Sequence, residues 1–167
     1  MFLNVDRFAI DKSCLLLLYE DTQLLSYIGM PSLAEEKLNN LCKEILQLDN
    51  STRFIGIANN LGSLVATAYR NGLIPLMNKQ ETSHYAIQAV LRAATREDFE
   101  SKIGRLEYSI GKYERLIRAT IPIRLFGKED ESKSYYLLLS FDLNSNVMDV
   151  IENKVMPFIQ KNREQKL

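Results

Sequence analysis

The sequence has one histidine and two cysteines in 167 residues, and none of the three stands where chemistry usually needs it. Cys14 and Cys42 lie 28 positions apart and form no C-x-x-C pair, which argues against a zinc knuckle or a dithiol redox motif. Both read as small apolar residues kept reduced in a cytosol. His84 has no cysteine or second histidine near it, so an exposed or capping role suits it better than metal ligation or base catalysis. With a single histidine, a Ser-His-Asp triad has little to draw on, and no serine sits in a G-x-S-x-G setting. Gly56, Gly62, Gly72, Gly104 and Gly111 are dispersed along the chain, so neither a phosphate loop nor a dinucleotide fingerprint is present. The expectation is a protein with no catalytic residue, cofactor or metal.

No sign of charge prevails either. Twenty-one basic residues face twenty-one acidic ones, so no overall field favours nucleic acid or an anionic membrane. Long apolar runs are missing too. The strongest, Cys-Leu-Leu-Leu-Leu-Tyr at residues 14–19, stops at Glu20 and Asp21, far short of the ~20 residues that cross a bilayer. Asp6 and Asp11 offset Arg7 and Lys12, and no small-residue cleavage site follows, so this is not read as a signal peptide. Residues 1–30 read as an appended segment, strand or helix undecided, ahead of one domain over residues 31–167. With 46% hydrophobic side chains, that length suits one core.

What is present is a clear order of patterned segments. Ser32 and Glu35 form an S-x-x-E capping box, and Leu38, Leu41, Cys42, Ile45 and Leu46 make one apolar stripe behind it. Asp49-Asn50-Ser51 ends that helix. Residues 54–58 and 64–69 flank Asn59-Asn60-Leu61-Gly62, whose Asn and Gly suit a tight reversal, so they read as a β-hairpin. Leu73-Ile74-Pro75-Leu76-Met77 is an apolar connector. Thr82 or Ser83 then caps a helix carrying Ala86, Ile87, Val90, Leu91, Ala94, Phe99 and Ile103 to Gly104.

Three alternating strands follow, built on Leu106, Tyr108 and Ile110, on Ile117 to Ile123, and on Tyr135 to Phe141. A charged loop at residues 127–133 joins the last two. Asn146 caps a final helix, which Pro157 should bend or end. The expected fold class is therefore α+β: a single five-stranded antiparallel sheet flanked by helices, in the order α-β-β-α-β-β-β-α.

This order resembles the Roadblock and dynein-light-chain class, within the longin-like and profilin-like folds. The hairpin Phe54-Ile55-Gly56-Ile57-Ala58 through Leu64-Val65-Ala66-Thr67-Ala68 looks like that class's first two strands. Arg53-Phe54-Ile55-Gly56, Leu91-Arg92, Arg96-Glu97-Asp98-Phe99-Glu100, Gly104 and Arg118-Ala119-Thr120-Ile121-Pro122 are similar to an archaeal family of unassigned function. The resemblance covers about residues 33–160. It implies a non-enzymatic cytoplasmic adaptor or regulator that dimerises through its middle helix and the following strand and acts on a small GTPase.

Carried onto this chain, the implied homodimer interface takes in Ala86, Ala89, Val90 and Ala93 on the helix and Arg105, Glu107 and Ile110 on the strand. Arg105 and Glu107 share a face and would cross-pair about a two-fold axis. Ala89→Arg or Ile110→Glu should then break the dimer.

A second candidate is an anion or partner patch. Arg92 and Arg96 are four apart on one helix face, and Arg70, Arg115 and Arg118 are placed to join them. Pairing with Glu97, Glu100, Glu107 or Glu114 competes with that reading. Tyr108, Tyr113, Tyr135 and Tyr136 raise the alternative of a ligand-sensing domain of PAS-like or profilin-like shape, against the plainer role of sheet packing.

Overall fold

The computed structural model describes residues 33–123 and 135–164. The expectations for residues 1–30, for Ser32 as a cap and for the charged loop at 127–133 lie outside the described residues. The chain divides into two units between Glu36 and Lys37, within the first helix, and the sheet lies wholly in the second.

Helix α1 (Leu33–Gln47) leads into β1 (Thr52–Asn59) and β2 (Leu64–Tyr69). Helix α2 (Lys79–Glu97) and a single turn, α3 (Glu100–Ile103), precede β3 (Ser109–Lys112), β4 (Ile117–Ile123) and β5 (Tyr135–Phe141). The end is one continuous helical segment: α4 (Val147–Val150), a π-helical turn at Ile151–Val155, and α5 (Met156–Glu164). The five strands form one antiparallel sheet in the order β2-β1-β5-β4-β3.

Period-two alternation splits the sheet's side chains between two cores. On one face Ile55, Ile57, Ile117, Ala119, Ile121, Leu137, Leu139 and Phe141 meet α1 and the C-terminal helix. On the other, Ala58, Tyr136 and Leu138 meet Ala86, Ala89, Val90 and Ala93 of α2. Cys42 is fully buried in the first core, and that burial pushes its thiol up to about 12 against a hydrogen bond with the Ile57 backbone. It is an inert packing residue.

Several boundaries differ from the sequence reading, each for a local reason. Helix α2 starts at Lys79 because Asn78, not Thr82 or Ser83, is the cap. Its Oδ1 accepts from Glu81 N at 2.9 Å, while its own N–H donates to Glu81 Oε2 at 2.8 Å. The helix breaks after Glu97, which leaves Phe99 and Ile103 58% and 81% exposed instead of on the buried face.

Strand β3 is also shorter than expected. Its register pairs Ser109 with Thr120, so Glu107 would stand opposite Pro122, which has no N–H for a ladder bond. Arg105 and Glu107 are exposed and precede the strand instead of lying within it. Pro157 does not end the last helix, which runs on to Glu164. Met156 N–H bonds Ile151 O in the π-helical turn just before it, so the wider turn at Ile151–Val155 lies directly ahead of the proline.

The open end of the sheet is tied together by one carboxylate. Asp142, just past β5, accepts from Arg53 Nη1 of β1 at 2.8 Å and from Arg70 Nη1, just past β2, at 2.6 Å. Hydrogen bonding from Arg70 is the main reason its carboxyl lies below the usual range, with burial opposing and Arg53 adding to the fall. A depressed folded-state pKa means stability that is complete above the unfolded value and lost as pH falls through the folded one. Asp142→Asn is therefore expected to cost about 1 kcal/mol at neutral pH, a modest figure because the pair is partly solvent-screened. In urea titrations the gap between variant and parent should close below about pH 4.

Candidate functional site: an arginine-lined groove

The connector between β2 and α2 does not enter the core. Ile74 and Leu76 stay exposed, and Leu76 and Met77 form one wall of an open groove of about 560 Å³. The opposite wall is the β3–β4 turn, with Tyr113, Glu114, Arg115 and Leu116, and α2 contributes Tyr85, Gln88 and Arg92. Arg118 of β4 completes the lining. A recess of about 90 Å³ adjoins it between α2 and β3, bordered by Arg92, Arg96, Gly111, Tyr113 and Thr120.

Helix periodicity explains why these residues face the groove. Ala86, Ala89, Val90 and Ala93 point at the sheet, so Tyr85, Arg92 and Arg96 fall on the flank turned toward β3 and β4. Across the ladder from Arg118 stands Gly111, which offers no side chain on that face. A β-carbon there would meet the Tyr113 ring at 3.4 Å.

Tyr85 is the hub of the charge. The Arg118 guanidinium lies 3.6 Å from its ring centroid and that of Arg92 5.6 Å, both in the range of cation–π attraction. The Arg118 Nη2 donates to the Met77 thioether at 2.8 Å, a weak acceptor for a half-buried cation. Among the described residues none of Arg92, Arg96, Arg115 and Arg118 is paired with a carboxylate. Glu97, a partner expected for them, instead accepts from the Tyr136 hydroxyl at 2.9 Å. The Tyr136 phenol is pushed up to about 12, chiefly by burial and then by that bond.

The fold thus brings Arg92, Arg96, Arg115 and Arg118 to one place and sends Arg70 elsewhere, to Asp142. Of the four tyrosines read together, only Tyr113 reaches the groove. Tyr108 donates to Glu152, and Tyr135 packs against the first core. Tyr85 and Met77 carry no sign of this role in the sequence, although Tyr85 precedes Arg92 by seven residues, two helical turns.

The expected dimer residues are divided. Ala86, Ala89, Val90 and Ala93 belong to the protomer's own core, at 3% exposure or less, so a second copy has no access to them. The apolar residues α2 leaves in water are Ile87 and Leu91, and Ile87 sits against the β1–β2 turn at Gly62. Ile110 is exposed on β3, which among the described residues is an edge strand paired with β4 alone. His84 is exposed within hydrogen-bond reach of Gln88, and no three His, Cys, Asp or Glu side chains among the described residues are grouped to hold a metal. No described helix is long and apolar enough to cross a membrane.

A five-stranded sheet in the order 2-1-5-4-3, with α2 on one face and the terminal helices on the other, is a Roadblock/LC7-type fold. Among solved structures it is similar to an MglB with a tetrameric arrangement, with a TM-score of 0.60 and 14% identity over 83% of this chain and 96% of that one. The gliding protein MglB from Thermus thermophilus gives 0.57 and 14% over 80% and 87%. A Roadblock/LC7 domain from Streptomyces avermitilis gives 0.55 and 9% over 76% and 95%. No protein-family model matches the sequence, and no curated protein does. Identities this low carry the fold and nothing finer.

Proposed function

We propose that this protein is a non-enzymatic cytoplasmic regulator of Roadblock type that works as a homodimer and acts on a small GTPase. The observation that carries the reading is the outer edge of β3, unpaired among the described residues, beside the long helix α2, with Ile110 exposed on it. An edge strand leaves a row of backbone donors and acceptors unpaired, and a twin strand about a two-fold axis satisfies both rows at once. The tetrameric arrangement of one structural neighbour puts self-association within the repertoire of this scaffold. Exposed Ile87 and Leu91, on the other flank of α2, supply an apolar surface for a partner protein.

Light scattering on a sizing column across a tenfold dilution should return twice the chain mass. Ile110→Glu places two like charges at the seam and should return a folded monomer. A wild-type monomer at every concentration, or an Ile110→Glu dimer as tight as the parent, would sink the edge-paired assembly. The GTPase arm is tested by GTP hydrolysis of a purified small GTPase with and without the protein.

A second reading is a ligand-sensing domain. It draws support from the groove, whose volume suits a small molecule, although the space lies at the surface between α2 and the β3–β4 turn and not beneath the meander.

A further inference from the structure

We infer that the groove between α2 and the β3–β4 turn is a binding site for a small organic anion, a carboxylate or phosphate monoester carried on an apolar or aromatic body. The inference gives a ligand class to the ligand-sensing reading. Homodimer and GTPase action stand or fall separately, by solution mass and hydrolysis.

Three features of the groove converge on that chemistry. Its walls are apolar where the body of a ligand would lie: Leu76, Met77, Leu116 and the rings of Tyr85 and Tyr113. Its charge is one-sided, with Arg92, Arg115 and Arg118 against the single carboxylate of Glu114. That charge is also concentrated, because Arg92 and Arg118 both lie over the same Tyr85 ring.

Concentration decides between kinds of occupant. An acidic peptide spreads its carboxylates along an extended backbone and is met by cations spread along a channel. Arg92 and Arg118 line both the groove and its recess within cation–π range of one ring, and two such guanidinium groups suit one compact anionic head, with the fork geometry of arginine fitted to either carboxylate or phosphate oxygens.

The rest of the molecule shows how this chain treats an arginine whose work is structural. Arg53 and Arg70 close on Asp142 at 2.8 and 2.6 Å. Arg118 is half-buried like those two, yet among the described residues the acceptor it meets is a thioether. Among the described residues this half-buried guanidinium has only a weak acceptor, so it retains most of its capacity to donate, and an incoming anion gains charge-assisted bonds without first breaking an ion pair to any of them. The site is preorganised because the Tyr85 ring and the Met77 sulfur already hold the Arg118 group in place.

The experiment uses the full chain and four probes: 4-phenylbutyrate, phenyl phosphate, the neutral 4-phenylbutanol and an acidic peptide. Amide correlation spectra should show saturable shifts for Met77, Tyr85, Tyr113 and Arg118 with both anions, and weak or no shifts with the alcohol. Arg118→Gln should raise the dissociation constants for the anions about tenfold and leave the alcohol's response unchanged. Exposed Arg92→Gln should weaken anion binding several-fold, and it keeps the test decisive if the half-buried variant fails to fold. No saturable shift with either anion, equal response to anion and alcohol, or undiminished affinity in a folded Arg92→Gln protein would overturn the assignment. Shifts at these residues with an acidic peptide but with neither small anion would overturn it as well. If only phenyl phosphate binds, the head group is a phosphate monoester; if only the carboxylate binds, it is a carboxylate; either supports the site.

Discussion

Ala93→Arg is expected to unfold the protein. Ala93 is fully buried where α2 lies on Ala58, Tyr136 and Leu138 of the sheet. An alanine there lets helix and sheet approach closely, and a long cationic side chain can be accommodated only by lifting α2 or by burying an unpaired charge. The first gives up the second core, and the second costs several kcal/mol. The expected loss, more than about 4 kcal/mol, is a large fraction of the stability of a domain this size. Circular dichroism and a urea titration at neutral pH should show a chain largely unfolded, or with its midpoint moved far down. A cooperative transition within about 1 kcal/mol of the parent would mean that α2 does not pack as described. Ala89→Arg has one more outlet, the recess lined by Arg92, Arg96 and Arg118, but like charges oppose it there. A dimer lost in either variant would therefore report on folding and say nothing of assembly, whereas Ile110→Glu addresses the exposed edge itself.

Gly62→Ala is expected to destabilise the domain by about 2 to 4 kcal/mol, from two independent sources. Gly62 closes the β1–β2 turn at φ +81, a backbone conformation that L side chains rarely adopt. A β-carbon there would also lie 2.5 Å from the Ile87 Cα, and because that neighbour is backbone the helix or the turn must move. Asn59 holds the same turn, its Oδ1 accepting from Leu61 N and Ser63 N at 3.0 Å each. The turn is thus both a reversal and the rest on which α2 lies. Thermal unfolding should fall by several degrees or more. Gly72→Ala is the control: φ is also positive, at +71, but nothing lies within 4 Å, so only the smaller backbone cost remains. Equal losses in the two variants would remove the helix contact from the explanation.

The fold was legible in the sequence because its signals are local. Alternation in residues 117–123 and 135–141 marks strands that the sheet contains, and the hairpin of residues 54–58 and 64–69 follows from the turn chemistry of Asn59 to Gly62. What escapes a sequence reading depends on neighbours. Asn78 is hard to recognise as a cap because it follows an apolar connector, and its box with Glu81 starts α2 ahead of the apolar stripe. The stripe of small residues in α2 suits a sheet as well as a second helix, and only burial distinguishes them. In the candidate site the arginines are visible by type and spacing. Tyr85 is not, because a tyrosine on an amphipathic helix has no mark in sequence until two cations come to lie over it.

The position of β5 has a consequence for the chain's synthesis. β1 pairs with β2, and β3 with β4, as hairpins close in sequence, but the two ribbons become one sheet only when β5 enters between β1 and β4. Until residues 135–141 leave the ribosome, the inner edges of both ribbons are bare and neither core can close. Loop-closure entropy must be met before the last strand repays it, so docking of β5 is the expected slow step of folding. The nascent chain is most exposed to mispairing with its neighbours in that interval, and chaperone capture would be concentrated there.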